Sequence, residues 1–315
     1  MATFGVETTT DEVLEGIDLK GRWALVTGAS AGLGVETARA LAAHGASLIL
    51  GVRDLEKAEA AAARVRDAAT GEVELRRVDL ADLASVRAFT DGVAADHDEL
   101  HILIANAGVM ACPEGRTADG FETQFGTNHL GHFVLVNRLV PLLVAGAPSR
   151  VVVLSSAGHR FSDVDLDDPG WEHTPYDPWR AYGRAKTANV QFAVGLDRRL
   201  RDRGVRAVAV HPGAIMTELS RHMTEDTLNA LQEARGDRPM TWKPVPAGAA
   251  TSVWAAAVAD ADEIGGRYAE DCGVAKVTTD PTSPVGVFPY AVDPDKAEAL
   301  WARSEELVGE RFDLS

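Results

Sequence analysis

Short apolar runs alternate with longer amphipathic or alanine-rich segments along most of the chain. Trp23–Thr27, Ser47–Val52, Leu100–Ala105, Arg150–Leu154 and Val205–Val210 read as short buried strands, and Glu72–Val78 is strand-like. Between them, helices are predicted from the glycines at 28–34 to His44, from Leu55 to Ala69, and from an Asp82 cap to about Asp96. Further helices are predicted over Phe121–Val140, after Trp179 through Tyr182 and Lys186 to about Arg201, over Pro246–Asp260 and over Ala297–Gly309. Gly45 and Gly204 supply stops, and Gly265–Glu270 reads as a last strand. Such alternation predicts an α/β fold, a single doubly wound parallel sheet of about seven strands with helices on both faces.

Three stretches do not fit the alternation. Residues 1–20 read as a mobile arm with a short helix around Asp11–Glu15, leaving 21–315 as one domain. Ala157–Trp179 is long for a loop and is expected to be functional or to carry a short helix. Residues 217–246 are mostly polar, with Met216, Leu219, Met223, Trp242 and a few other large apolar residues. They suggest a lid over a cleft, or else a plain surface helix pair.

Of the 315 residues 46% are apolar, enough for a sizeable core, and the formal net charge is −16. That acidity argues against a nucleic-acid partner. The two cysteines, Cys112 and Cys272, form no metal-ligand spacing, so no metal is expected, and so few favour a reducing compartment. The first twelve residues are polar and acidic, unlike a secretion signal, and no apolar run approaches the length of a membrane span. A soluble cytoplasmic protein is expected.

The candidate chemistry clusters where strands end. Trp23–Thr27 runs into Gly28-Ala29-Ser30-Ala31-Gly32-Leu33-Gly34 and then a helix. Strand, glycine turn and helix place backbone N–H groups against a phosphate, and Gly28, Ser30, Gly32, Leu33 and Gly34 become candidates for a dinucleotide in a Rossmann-type fold. In such a fold the end of the second strand meets the adenosine ribose, where an acid favours NAD and an arginine favours NADP. Here Val52-Arg53-Asp54 places Arg53 after a valine, so NADP(H) is expected over NAD(H). Asp54 caps the next helix, or accepts from the ribose and reverses that preference. Asp79-Leu80 and Asn106-Ala107-Gly108 fall at two further strand ends, where ligands of such sheets lie.

Tyr182 and Lys186 are four residues apart, on one face of a helix. A tyrosine with its ordinary pKa of about 10 is a poor acid or base at neutral pH. A neighbouring ammonium favours the phenolate and is expected to lower that value. Ser156, at the end of the fifth strand, is the expected partner, with Ser155 the alternative.

In one order along the chain stand Thr27-Gly28-xxx-Gly32-x-Gly34, Asn106-Ala107-Gly108, Asn128, Ser156, Tyr182-xxx-Lys186 and Pro212-Gly213. Over about residues 20 to 275 the chain resembles the short-chain dehydrogenase/reductase superfamily. Thr127-Asn128-His129-Leu130-Gly131-His132-Phe133, Ser155-Ser156-Ala157-Gly158-His159 and the Ser156-to-Tyr182 gap of 26 liken it to the retinol-dehydrogenase-like branch. It lacks the apolar N-terminal anchor of that branch's membrane-bound members, which leaves retinol in question as substrate.

The resemblance implies an NAD(P)-dependent oxidoreductase interconverting an alcohol and its ketone or aldehyde. Tyr182 would be the acid/base, with Lys186 lowering its pKa and holding the nicotinamide ribose. Ser156 would bind the substrate oxygen, and Asn128 a relay water. Asp79, with Leu80 beside it, would meet the adenine, and Asn106 the cofactor's sugars. Pro212 and Gly213 would contact the cofactor, and Thr217 its carboxamide. Homodimers and homotetramers are usual in the superfamily. The lid's large apolar residues, with Trp171 and Trp179, suggest a lipophilic substrate, unless those aromatics are core. Two other readings share some residues: a nucleotide-sugar epimerase or dehydratase, whose glycine spacing Ala31 does not match, and a non-catalytic dinucleotide sensor, which would have no use for the relay set.

Overall fold

The apolar runs pair into one eight-stranded sheet in the order β3-β2-β1-β4-β5-β6-β7-β8. In this computed structural model residues 4–216 and 242–314 are described, with Glu225, Asn229 and Glu233 between them. The strands are β1 (Trp23–Thr27), β2 (Ser47–Val52), β3 (Val73–Arg77), β4 (Ile102–Ala105), β5 (Ser149–Leu154), β6 (Val205–His211), β7 (Tyr268–Glu270) and β8 (Gly273–Val274). All pairings are parallel except the β7–β8 hairpin. Helices cover both faces, so the central strands bury both sets of side chains. Leu25 faces one apolar core, while Ala24 and Val26 face the other.

The short helix α1 (Thr10–Leu14), α2 (Gly32–Ala43), α3 (Leu55–Ala68) and α4 (Leu83–Asp96) follow in order. The arm is not loose at this point. Val13 and Leu14 are buried, and Thr10 bonds Glu36 of α2, which Arg39 also holds. Asp54 and Asp82 cap α3 and α4.

The helix expected over Phe121–Val140 is broken. It consists of α5 (Thr123–Phe125), a π turn over Gly126–Leu130, α6 (Gly131–Arg138) and, past a kink, α7 (Val140–Ala145). The N–H of Gly131 reaches the carbonyl of Gly126, five residues back, the π pattern that often marks a functional position. Helix α8 (Pro178–Leu200) starts just before the end of the expected loop, because the Asp177 carboxylate accepts from the Trp179 and Arg180 N–H groups and Pro178 suits the first turn.

The chain closes with α9 (Val245–Ala257), α10 (Ala261–Ile264) and α11 (Pro294–Val308). α11 places Trp301 against Phe133 and Phe192. β8 and α10 were not expected, being only 2 and 4 residues long. Most of the expected lid, including Thr217, lies outside the described residues. At its end Trp242 pairs with Ala214. Among the described residues no helix is long and apolar enough to cross a membrane.

Candidate active site

The carboxyl ends of β1, β2, β4, β5 and β6 open into one cleft of about 1730 Å³, more than the roughly 300–1,000 Å³ of a single small-ligand site. Gly28, Ser30, Gly32, Leu33, Gly34, Arg53, Asp79, Leu80, Asn106, Ser156, Tyr182, Lys186, Pro212 and Gly213 all line it. Asn128 does not; it is buried behind the wall.

At one end the wall is backbone. α2 begins after Ala31, which offers no side-chain cap, unlike the aspartates ahead of α3, α4 and α8. The first N–H groups of this twelve-residue helix therefore meet the cleft, a suitable seat for a dinucleotide's pyrophosphate. Gly34 is required by packing, since a Cβ there would lie 2.4 Å from the carbonyl oxygen of Gly28. Asn106 donates to the carbonyl of Thr27, and the hydroxyl of Thr27 accepts from the N–H groups of Asn106 and Ala107. These bonds lock the ends of β1 and β4 together. Oδ1 of Asp79 accepts from the Ala81 N–H, so part of that carboxylate serves its own turn. Asp54 accepts from the Lys57 N–H as a helix cap, which holds its carboxyl below the usual range, while Arg53 lines the cleft.

At the other end the wall is side chain. The two adjacent serines divide their work. Ser155 is buried and donates to the carbonyl of Lys186, whereas Ser156 is half-buried on the cleft wall, beside the Gly158 that packs on the Tyr182 ring. The Ser156 oxygen also accepts from the Gly158 N–H, opening a 3₁₀ turn over Ala157–Phe161. That turn packs closely on the Tyr182 ring, because a Cβ on Gly158 would sit 2.7 Å from Cε1 of Tyr182. Lys186 stands 5.7 Å from the centroid of the Tyr182 ring and donates to the carbonyl of Leu154.

The electrostatics differ from the sequence expectation. Burial pushes the Tyr182 phenol up to about 12, with the Ser156 hydrogen bond opposing it, and the same burial pushes Lys186 down to about 8. Desolvation penalises phenolate and ammonium alike, and here it outweighs the expected help from lysine. The protein by itself holds a protonated phenol at neutral pH, a proton donor aimed into the cleft.

The long insertion between β5 and α8 folds onto α8. Arg184, midway between Tyr182 and Lys186, lies 3.9 Å from the Trp171 ring, donates to the carbonyl of Asp168 and pairs with Asp165. Trp171 is buried there as core, while Trp179 lines the cleft. Among the described residues Asp168, Glu172 and His173 form the one metal-compatible group. However, Asp168 already accepts from the N–H groups of Glu172, His173 and Thr174 and from the Thr174 hydroxyl.

Sequence reasoning did not single out the far wall. Arg160 donates to the carbonyls of Ser283 and Gly286, Glu270 accepts from the Gly286 N–H, and Nε2 of His159 accepts from the Phe288 N–H. Gly158 and His159 stand beside Ser156 in the sequence, but nothing local marks the segment 281–288 they face.

Comparison with known proteins agrees with this geometry. The family model described as short chain dehydrogenase matches residues 22–228. Retinol dehydrogenase 12 of Homo sapiens is 41% identical over 298 residues, covering 94% of this chain and 89% of the relative. The crystal structure of an uncharacterised protein from Mycobacterium paratuberculosis superposes with a TM-score of 0.74 at 37% identity, covering 98% of this chain and 99% of that one. The RhlG/NADP active-site complex of Pseudomonas aeruginosa superposes with a TM-score of 0.63 at 26% identity, covering 80% and 95%.

Proposed function

The chain belongs to the short-chain dehydrogenase/reductase superfamily, in its retinol-dehydrogenase-like branch, and on that premise we propose that it interconverts an alcohol and its ketone or aldehyde with a nicotinamide dinucleotide. When bound, the cofactor supplies or accepts the hydride. The residues of the chain orient, stabilise charge and move the proton. Hydride arriving at a carbonyl carbon builds negative charge on its oxygen. Ser156 and Tyr182, on one wall of the cleft, both donate to that oxygen, and Tyr182 gives up its proton. Lys186 lies close enough to stabilise the phenolate left behind. In the reverse direction Tyr182 takes the alcohol proton.

The observation that carries this reading is the shared exposure of Ser156 and Tyr182 to a cleft whose opposite end is a glycine turn with an uncapped helix. NADP(H) is the favoured cofactor. Arg53 faces the cleft, Asp54 is engaged as a cap, and the Pseudomonas aeruginosa relative is a complex with NADP. The substrate is lipophilic on this reading, because Met110, Phe161, Trp179, Val285 and Phe288 line the substrate side. A cytoplasmic location accords with the acidic charge and two free cysteines. The test is Tyr182→Phe, assayed by cofactor absorbance against an alcohol and carbonyl panel. Turnover is expected to fall by at least about 10² while cofactor binding persists. Turnover near the wild-type rate would refute the assignment.

A further inference from the structure

His132 lies one helical turn after Asn128, is fully buried, and bonds two parts of the site at once. Its Nδ1 stands 3.0 Å from the carbonyl of Asn128 on the π turn, and its Nε2 stands 2.9 Å from the Thr27 hydroxyl. Hydrogen counting fixes the direction of both bonds. The Thr27 oxygen already accepts from the N–H groups of Asn106 and Ala107 at 3.0 and 3.1 Å, which fill its two lone pairs. It must therefore donate, and the ring nitrogen at 2.9 Å is nearer than the Ile104 carbonyl at 3.4 Å. Nε2 is then the acceptor, and Nδ1 carries the proton donated to Asn128. A second ring proton would face an oxygen with no lone pair left, in keeping with a pKa that burial pushes down to about 4.

Asn128 is in turn tied to the cleft wall. Its Oδ1 accepts from the Val109 N–H at 2.8 Å, and its Nδ2 donates to the Val109 carbonyl at 2.9 Å. Both Asn128 and Lys186 close on Gly108, where a Cβ would lie 3.0 Å from Oδ1 of Asn128 and 3.7 Å from Nζ of Lys186. One neutral imidazole thus joins the end of β1, through Thr27 the turn after β4, and the π turn that presents Asn128 beside Lys186.

We propose that His132 is a positioning residue for proton transfer, setting the place of Asn128 relative to Lys186 by donating from Nδ1 to the Asn128 carbonyl while anchored on Thr27. The inference rests on the proton-transfer reading of Tyr182 and Lys186. Asparagine can replace the Nδ1 donor, glutamine the Nε2 acceptor, and leucine neither.

His132→Leu is expected to lower kcat by about tenfold or more, since small misplacements at a reacting centre are costly. It should also shift the pH profile of kcat, with cofactor affinity within about threefold of wild type. His132→Asn should recover most of the turnover and His132→Gln little of it. If His132→Leu does not fold, the asparagine and glutamine pair carries the test. A readout without turnover is ¹⁵N NMR of the cofactor-free protein, with the His132 ring assigned by its loss in His132→Asn. Protonated Nδ1 and unprotonated Nε2 are expected. The opposite tautomer, or equal turnover in the asparagine and glutamine variants, would overturn the proposal. Tyr182→Phe run in parallel separates the two failures. If it retains activity, the proton-transfer reading falls; if it is inactive while the His132 variants behave as wild type, only the inference about His132 falls.

Discussion

The two ends of the cleft are built from different materials. At the glycine-turn end the atoms that face a ligand are mostly backbone N–H groups and small residues, held by hydrogen bonds between the ends of β1 and β4 and by the close approach of α2 at Gly34. At the Tyr182 end they are side chains, held by partners remote in sequence. Phe288 reaches His159 across 129 positions, Ser283 reaches Arg160 across 123, and Trp171 stacks on Arg184. The first end is stable because its geometry leaves no alternative. The second depends on buried polar groups staying neutral or paired, which exposes it to protons and to small changes in packing.

The sharpest way to break that contrast is pH. His129, His132 and His159 are buried and His211 is half-buried, and burial pushes them down to about 3, 4, 4 and 3. Their unfolded value is 6.5, so below it the unfolded chain binds protons that the folded chain refuses. Stability is therefore complete above about pH 6.5 and lost as pH falls, by up to about 1.4 kcal/mol per pH unit for each histidine. Glu122 and Glu270, whose pKa values burial raises, act in the opposite direction but are outnumbered, since His101 is also shifted down by burial. Denaturant unfolding at pH 7, 6 and 5 should show a steep decline; a flat profile would refute this account of the neutral histidines.

Next in size is Gly158→Ala. Its methyl group would meet the Tyr182 ring, so turnover should drop about 10- to 100-fold with cofactor affinity unchanged. Steady-state kinetics beside cofactor titration would reveal it, and a loss confined to cofactor binding would reverse the assignment of ends. Arg53→Ala should lower NADPH affinity about tenfold, as expected for one charge-assisted contact, and leave NADH affinity alone. Equal losses for both cofactors would remove Arg53 from the phosphate site. The smallest effect is expected from Asp54→Ala, which removes a cap on α3. The melting temperature should fall by a few degrees with the NADPH-to-NADH ratio unchanged, and a changed ratio would return Asp54 to the ribose.

Much of this was legible in the chain itself, and unevenly so. Strands β1, β2, β4, β5 and β6 emerged within a few residues because they are short and largely apolar, and β3, which is mostly charged, emerged from its place in the alternation. The helix through Asn128 was read as continuous, since a π turn leaves no mark on the pattern of apolar residues. The arm before β1 was read as mobile because α1, with five residues, is held by Glu36 and Arg39 rather than by its own propensity.

The amino-acid order alone determined the alternation of strand and helix, the glycine turn at the first strand's exit, and a tyrosine and lysine on one helical face. These depend on spacing and on neighbours a few residues away. Only the tertiary structure decided that Ser156 rather than Ser155 faces Tyr182, that Asp54 caps a helix, and that the phenol is shifted up rather than down. Each of those outcomes depends on what surrounds a group once water has been excluded, and burial and partner choice among residues far apart in the chain exist only after folding.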